Sequence, residues 1–208
     1  MARRQIGGAG GGSQRAPSSV GAVVVGAIVA VGMAFSAGGT SATPPSAPQG
    51  IANKAAAKDL ARAGKPSAWS RMGMRAGKQA VRTGGDCAAL STDQIRAFFT
   101  RLPCRTLTRA AYPVTLESGA VVAVSVVWVG FSTANQAAGF QALHRIHGNG
   151  DVLPITRDVH FTALNYDSRR DGATVVFAET EPVSGTPDAA TLDTIAEVAA
   201  AFPRPGKR

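Results

Sequence analysis

Residues 105–129, RTLTRAAYPVTLESGAVVAVSVVWV, decide the fold. Both halves are rich in Val, Thr, Leu and aromatic side chains, which pack well on a pleated surface, and Glu117-Ser118-Gly119 separates them with turn chemistry. The pattern predicts an antiparallel hairpin with strands over residues 105–116 and 120–129. The second strand is apolar at every position but Ser125, which places it in the middle of a sheet.

Working outward, Ser91-Thr92-Asp93-Gln94 has the form of a capping box, with Leu90 and Ile95 placed as a hydrophobic staple. Ile95, Phe98, Phe99 and Leu102 then share one helical face until Pro103 ends the run. Downstream, Thr133 with Gln136 caps a second helix that turns Phe140 and Leu143 inward and stops at Gly148. A second hairpin follows, with strands over residues 159–166 and 173–180 and its turn at residues 167–172. Thr186 and Pro187 open a last helix with Leu192, Ile195, Ala196, Ala199 and Phe202 on one face. The order is αββαββα, an α+β domain over residues 87–203 with a four-stranded antiparallel sheet and packed helices. The helix-then-hairpin unit occurs twice, without a residue-level match between the halves.

The formal net charge is +9 in 208 residues, and it is unevenly placed. Residues 1–86 carry eleven Lys and Arg against Asp59 and Asp86, whereas residues 87–208 are balanced. The expected domain therefore lacks a polyphosphate footprint, which argues against nucleic acid as a partner.

Residues 20–37 are uncharged, and about 18 residues at ~1.5 Å rise reach roughly 27 Å, enough for a hydrocarbon core of about 30 Å. The expectation is a transmembrane helix behind a basic, Gly-rich cytoplasmic arm, residues 1–19. Arg3, Arg4 and Arg15 lie before the span and only Lys54 lies within twenty residues after it, which leaves the N-terminus inside and the domain outside. An inverted arrangement is the competitor, because basic residues continue from Lys58 to Arg82. A cleaved signal peptide, yielding a secreted form, is another, since small residues follow the apolar run.

Residues 38–86 read as a basic Pro/Gly/Ala-rich stem, and residues 204–208 as a short basic tail. Within the stem, residues 51–63 are Ala-rich with alternating charge and form a candidate short helix, while Trp69, Met72 and Val81 stand among Arg71, Arg75, Lys78 and Arg82, a composition suited to an anionic lipid or wall polymer. A solvated spacer is the simpler expectation, because Gly64, Gly73 and Gly77 weaken any helix. Cys87 and Cys104 bracket the first domain helix, and on an exported domain they are expected to form a disulfide.

Chemical signals are sparse. His144 and His147 with His160 or Asp151 offer three metal ligands, but a helix end favours His for dipole reasons and the spacing is not diagnostic, so no metal and no cofactor is expected. Glu179 and Glu181 share a strand face and read as a solvated strand end. Arg169 and Arg170, expected at a hairpin tip, are the candidate contact to a carboxylate or phosphate on a partner. Gly7 to Gly12 neither follows a strand nor opens a helix, and no nucleophile-elbow, zincin or phosphate-loop motif occurs, so no catalytic residue is assigned.

The stretches CAALSTDQIRAFFTRLPCRTL, residues 87–107, and NYDSRRDGATVVFAETEP, residues 165–182, together with the layout of basic arm, span, stem and small domain, resemble uncharacterised exported or membrane-anchored proteins of high-GC Gram-positive bacteria. The resemblance covers about the second half of the chain and implies no activity. The expected function is a single-pass anchored extracytoplasmic module that binds an unknown protein, polymer or small ligand. A cell-envelope hydrolase without a recognisable motif is the alternative.

Overall fold

The computed structural model of the chain describes residues 5–6, 53–156 and 158–206. The span expected over residues 20–37, and most of the arm before it, lie outside these. Among the described residues no helix is long and apolar enough to cross a membrane.

The fold is α+β, with five described helices and a six-stranded antiparallel sheet. Helices α1 (Lys54–Arg62) and α2 (Ser67–Arg71) come first, after a two-residue strand β1 (Gln5–Ile6). Strands β2 (Arg75–Ala76) and β3 (Ala80–Thr83) lead to α3 (Asp93–Arg101). The hairpin β4 (Thr106–Thr115) and β5 (Val121–Gly130) follows, then α4 (Ala134–His144) and β6 (Ile146–His147). The chain ends with the hairpin β7 (Tyr166–Asp171) and β8 (Thr174–Ser184), and α5 (Ala189–Ala201). The sheet runs β2-β4-β5-β8-β7, with β3 also on the edge of β4, and β1 pairs with β6 apart from it.

Helices cover both faces of the sheet, which explains why β5 is apolar on both sides. Val122, Val124, Val126 and Trp128 join the core under α1, α2 and α5, while Val127 and Val129 join a second core under α3 and α4. On that second side Phe99, Phe131 and Phe140 interlock, with ring centroids of Phe99 and Phe140 5.0 Å apart. The Cys87–Cys104 disulfide joins the segments that flank α3, with its Cα atoms 6.2 Å apart.

The largest departure from expectation concerns the stem. From Asn53 onward it is part of the domain: Ala57, Ala61, Ala68, Trp69, Met72 and Met74 are buried, and Trp69 stacks on Phe202 at 5.9 Å. Trp69 and Met72 are thus unavailable to a lipid or polymer surface, and of the three apolar residues noted there only Val81 stays exposed. Gly64 and Gly73, with φ of +67° and +70°, follow the ends of α1 and α2 and terminate them. The expected four strands accordingly become six.

Two boundaries also move. The second hairpin turns tightly at Gly172-Ala173, so Arg169 and Arg170 lie within β7, and residues 159–165 are irregular. Helix α5 is capped by Asp188, whose carboxylate accepts from Thr191 N at 2.6 Å, rather than by Thr186. The cap of α4 is as expected: Thr133 Oγ1 accepts from Gln136 N, and Gln136 Oε1 accepts from Ser132 N.

Candidate functional site

Across the middle of the sheet, Ser125 on β5, Glu179 on β8 and Tyr166 on β7 stand side by side in register, on the face under α4. Glu179 alternates with Val175 and Phe177 on that face and is only 5% exposed. A carboxylate on an apolar face is costly unless a partner compensates it, so its position marks the row as special. The expected solvated strand end is therefore not what surrounds Glu179. Glu181, two residues on, accepts from Thr162 N at 2.7 Å and from the Thr162 hydroxyl, which fastens the irregular segment before β7.

His144, in the last turn of α4, hangs over this row and is fully buried. Its Nδ1 lies 3.0 Å from Tyr166 Oη and its Nε2 lies 2.8 Å from Asp151 Oδ1. One ligand atom each from His144, Asp151 and Glu179 fall within 4.8 Å of one another.

Asp151 is aimed by a local device. Ile95 N donates to Asn149 O, Thr92 N donates to Asp151 O, and Asp151 N donates to Thr92 Oγ1, so the loop after α4 is clamped to the start of α3. Thr92, the N-cap of α3, spends its hydroxyl on this loop and makes no cap bond to its own helix. Gly150 has φ +88°, and a Cβ there would meet Thr92 O at 2.5 Å. Only glycine allows the approach.

A cavity of about 260 Å³ opens beside the cluster, lined by Thr92, Ser125, Asp151, His160, Phe177 and Glu179. Of the four metal-ligand residues weighed from sequence, His144 and Asp151 meet, His160 lines the cavity, and His147 lies apart in β6. A serine-histidine-acid relay needs one ring nitrogen on the acid and the other on the nucleophile. On His144 the second nitrogen faces the Tyr166 phenol, so the ring is not set up to activate a serine.

A second polar feature lies on the opposite face of the sheet. A cleft of about 710 Å³ is lined by Arg62, Arg105, Arg169 and Arg204 with Asp171. Arg169 donates from Nε to Ala200 O at 2.6 Å and from Nη2 to Phe202 O at 3.1 Å, capping α5. Burial lowers its pKa from the ordinary arginine value, partly offset by Asp171. Arg170, its neighbour, points to the other face and is exposed. Arg62 pairs with Asp59 at 2.6 Å, while Arg105 is exposed at the start of β4.

No protein-family model, no curated protein and no solved structure matches the chain.

Proposed function

We propose that the protein is an extracytoplasmic binding module, tethered to the membrane by residues 20–37, that holds a phosphate- or carboxylate-bearing ligand in the arginine-lined cleft. The observation that carries this reading is the convergence of Arg62, Arg105, Arg169 and Arg204 on one open cleft whose described lining includes the carboxylate of Asp171. With Arg62 paired to Asp59 and Arg169 held on the end of α5, Arg105 and Arg204 are the cations best placed to take a ligand. Guanidinium forks match carboxylate and phosphate geometry and bind them through charge-assisted pairs. Because the basic residues from Lys54 to Arg82 belong to the folded body, the domain is cationic, and an anionic envelope polymer or metabolite suits it. The disulfide supports an oxidising compartment.

A span at 20–37 would separate β1 from β6 across the bilayer, so the pairing of Gln5–Ile6 with Ile146–His147 and the anchored state exclude each other. Magnitudes favour the anchor. The six Val, one Ile and one Phe of residues 20–37 gain roughly 0.3–0.6 kcal/mol each on insertion, whereas a two-residue strand pair contributes about 1 kcal/mol net per hydrogen bond.

The test titrates full-length protein in neutral detergent with inorganic polyphosphate. Arg105→Gln and Arg204→Gln are expected to weaken binding about tenfold, since a hydrogen bond to a charged group contributes roughly 1.5 kcal/mol or more. Arg145→Gln, an equal loss of charge at the end of α4, is expected to change it little. Equal losses in all three variants would show that net charge alone draws the polymer and that the cleft is not its site.

A further inference from the structure

We propose that His144, Asp151 and Glu179 bind one divalent first-row metal ion of the Zn2+ or Mn2+ kind, with Tyr166 orienting the histidine. This stands independently of the arginine cleft. Four observations carry it.

The first is geometry: a ligand atom from each of the three residues lies within 4.8 Å of the others, and since two ligands with bonds of about 2.0–2.2 Å to one ion stand at most about 4.4 Å apart, a side-chain rotation of a few tenths of an ångström closes the site. The 2.8 Å separation of His144 Nε2 and Asp151 Oδ1 fits two ligands on one ion as well as it fits a hydrogen bond. The second is the donor set: one imidazole and two carboxylates meet there, with His144 fully buried and Glu179 5% exposed. A divalent cation compensates both carboxylates and lets the imidazole stay neutral, the form that coordinates.

The third is the outer shell. Coordination through Nε2 puts the ring proton on Nδ1, where the phenol oxygen of Tyr166, 3.0 Å away and itself buried, accepts it. Such a partner fixes tautomer and ring orientation in metal-binding histidines. The fourth is space: the cavity of about 260 Å³ reaches Asp151 and Glu179, leaving room for water or a small ligand at the open coordination positions. One imidazole with two carboxylates suits Zn2+ or Mn2+ better than Ca2+ or Mg2+, which favour all-oxygen sets.

The experiment strips full-length protein with a chelator, dialyses it against buffered Zn2+ or Mn2+, and measures bound metal per chain alongside competition with a chromophoric chelator. One equivalent is expected for the wild type. Tyr166→Phe, the loss of an outer-shell partner, is expected to lower affinity by about 10- to 100-fold, Asp151→Asn and Glu179→Gln, which each remove a charged ligand, to abolish binding, and His147→Gln to leave it unchanged. The disulfide and the circular dichroism spectrum report folding. Should Glu179→Gln fail to fold, the partly exposed Asp151 still decides. The proposal is overturned if folded wild type retains no equivalent of either ion, or if Asp151→Asn binds as tightly as wild type.

Discussion

Arg169 does at one residue what caps and counter-charges usually share: it satisfies the last carbonyls of α5 and places a cation at the negative end of the helix. Arg169→Met keeps much of the stem but strands those carbonyls, at a cost of about 2 kcal/mol. Calorimetry is expected to show Tm falling by roughly 4–8 °C for a domain of this size. Gly150→Ala forces a left-handed backbone and a contact against Thr92 O, costing about 1–3 kcal/mol and loosening Asp151. Denaturant unfolding checks the stability. The solvated-strand-end reading of Glu179 passed over signals that the sequence held: Ala137, Phe140 and His144 share one helical stripe, and Glu179 interrupts an apolar alternation with Val175 and Phe177. Tyr166 was not legible, because only the strand register brings it beside Glu179.

At the scale of elements, the first hairpin, α3, α4, α5 and the short helix α1 follow from periodicity, composition and turn chemistry; the second hairpin is legible as a pair, but its first strand lies at Tyr166–Asp171 rather than at residues 159–166, and α2 does not stand out. Apart from Trp69, the buried residues of α1 and α2 are Ala57, Ala61 and Ala68, small residues that hydropathy barely weights, and β2 and β3 are short edge strands with exposed side chains. Trp69 was visible but ambiguous, since an aromatic among arginines also suits a membrane surface. Trp69→Ala is expected to cost about 3–5 kcal/mol in chemical unfolding, the penalty of a core cavity, whereas a residue on a spacer would cost nothing. Glu197 on α5 clasps α1 through Lys54 and Lys58 at 2.9 and 3.0 Å. Burial raises its pKa, but the two ammonium groups together outweigh burial and hold it below the ordinary value of 4.5. A depressed folded pKa means the contribution is complete above that ordinary value and is lost as pH falls through the folded one. Glu197→Gln is expected to reduce stability at pH 7 by about 1–2 kcal/mol and to lose less at pH 3, measured by urea unfolding at the two pH values.

For the whole molecule, the proposed anchor sets which compartment the cleft, the cluster and the disulfide meet. A bridge closing a loop of about 18 residues contributes ~3 kcal/mol in the chain-entropy picture, and it persists only where no reductant pool opposes it. Topology and redox state are therefore one question, answered by labelling intact cells that express the full-length chain with a membrane-impermeant maleimide, before and after an impermeant phosphine reductant. The account requires labelling of Cys87 and Cys104 on intact cells only after reduction. Labelling that needs lysis but no reductant would place a reduced domain inside the cell and contradict it.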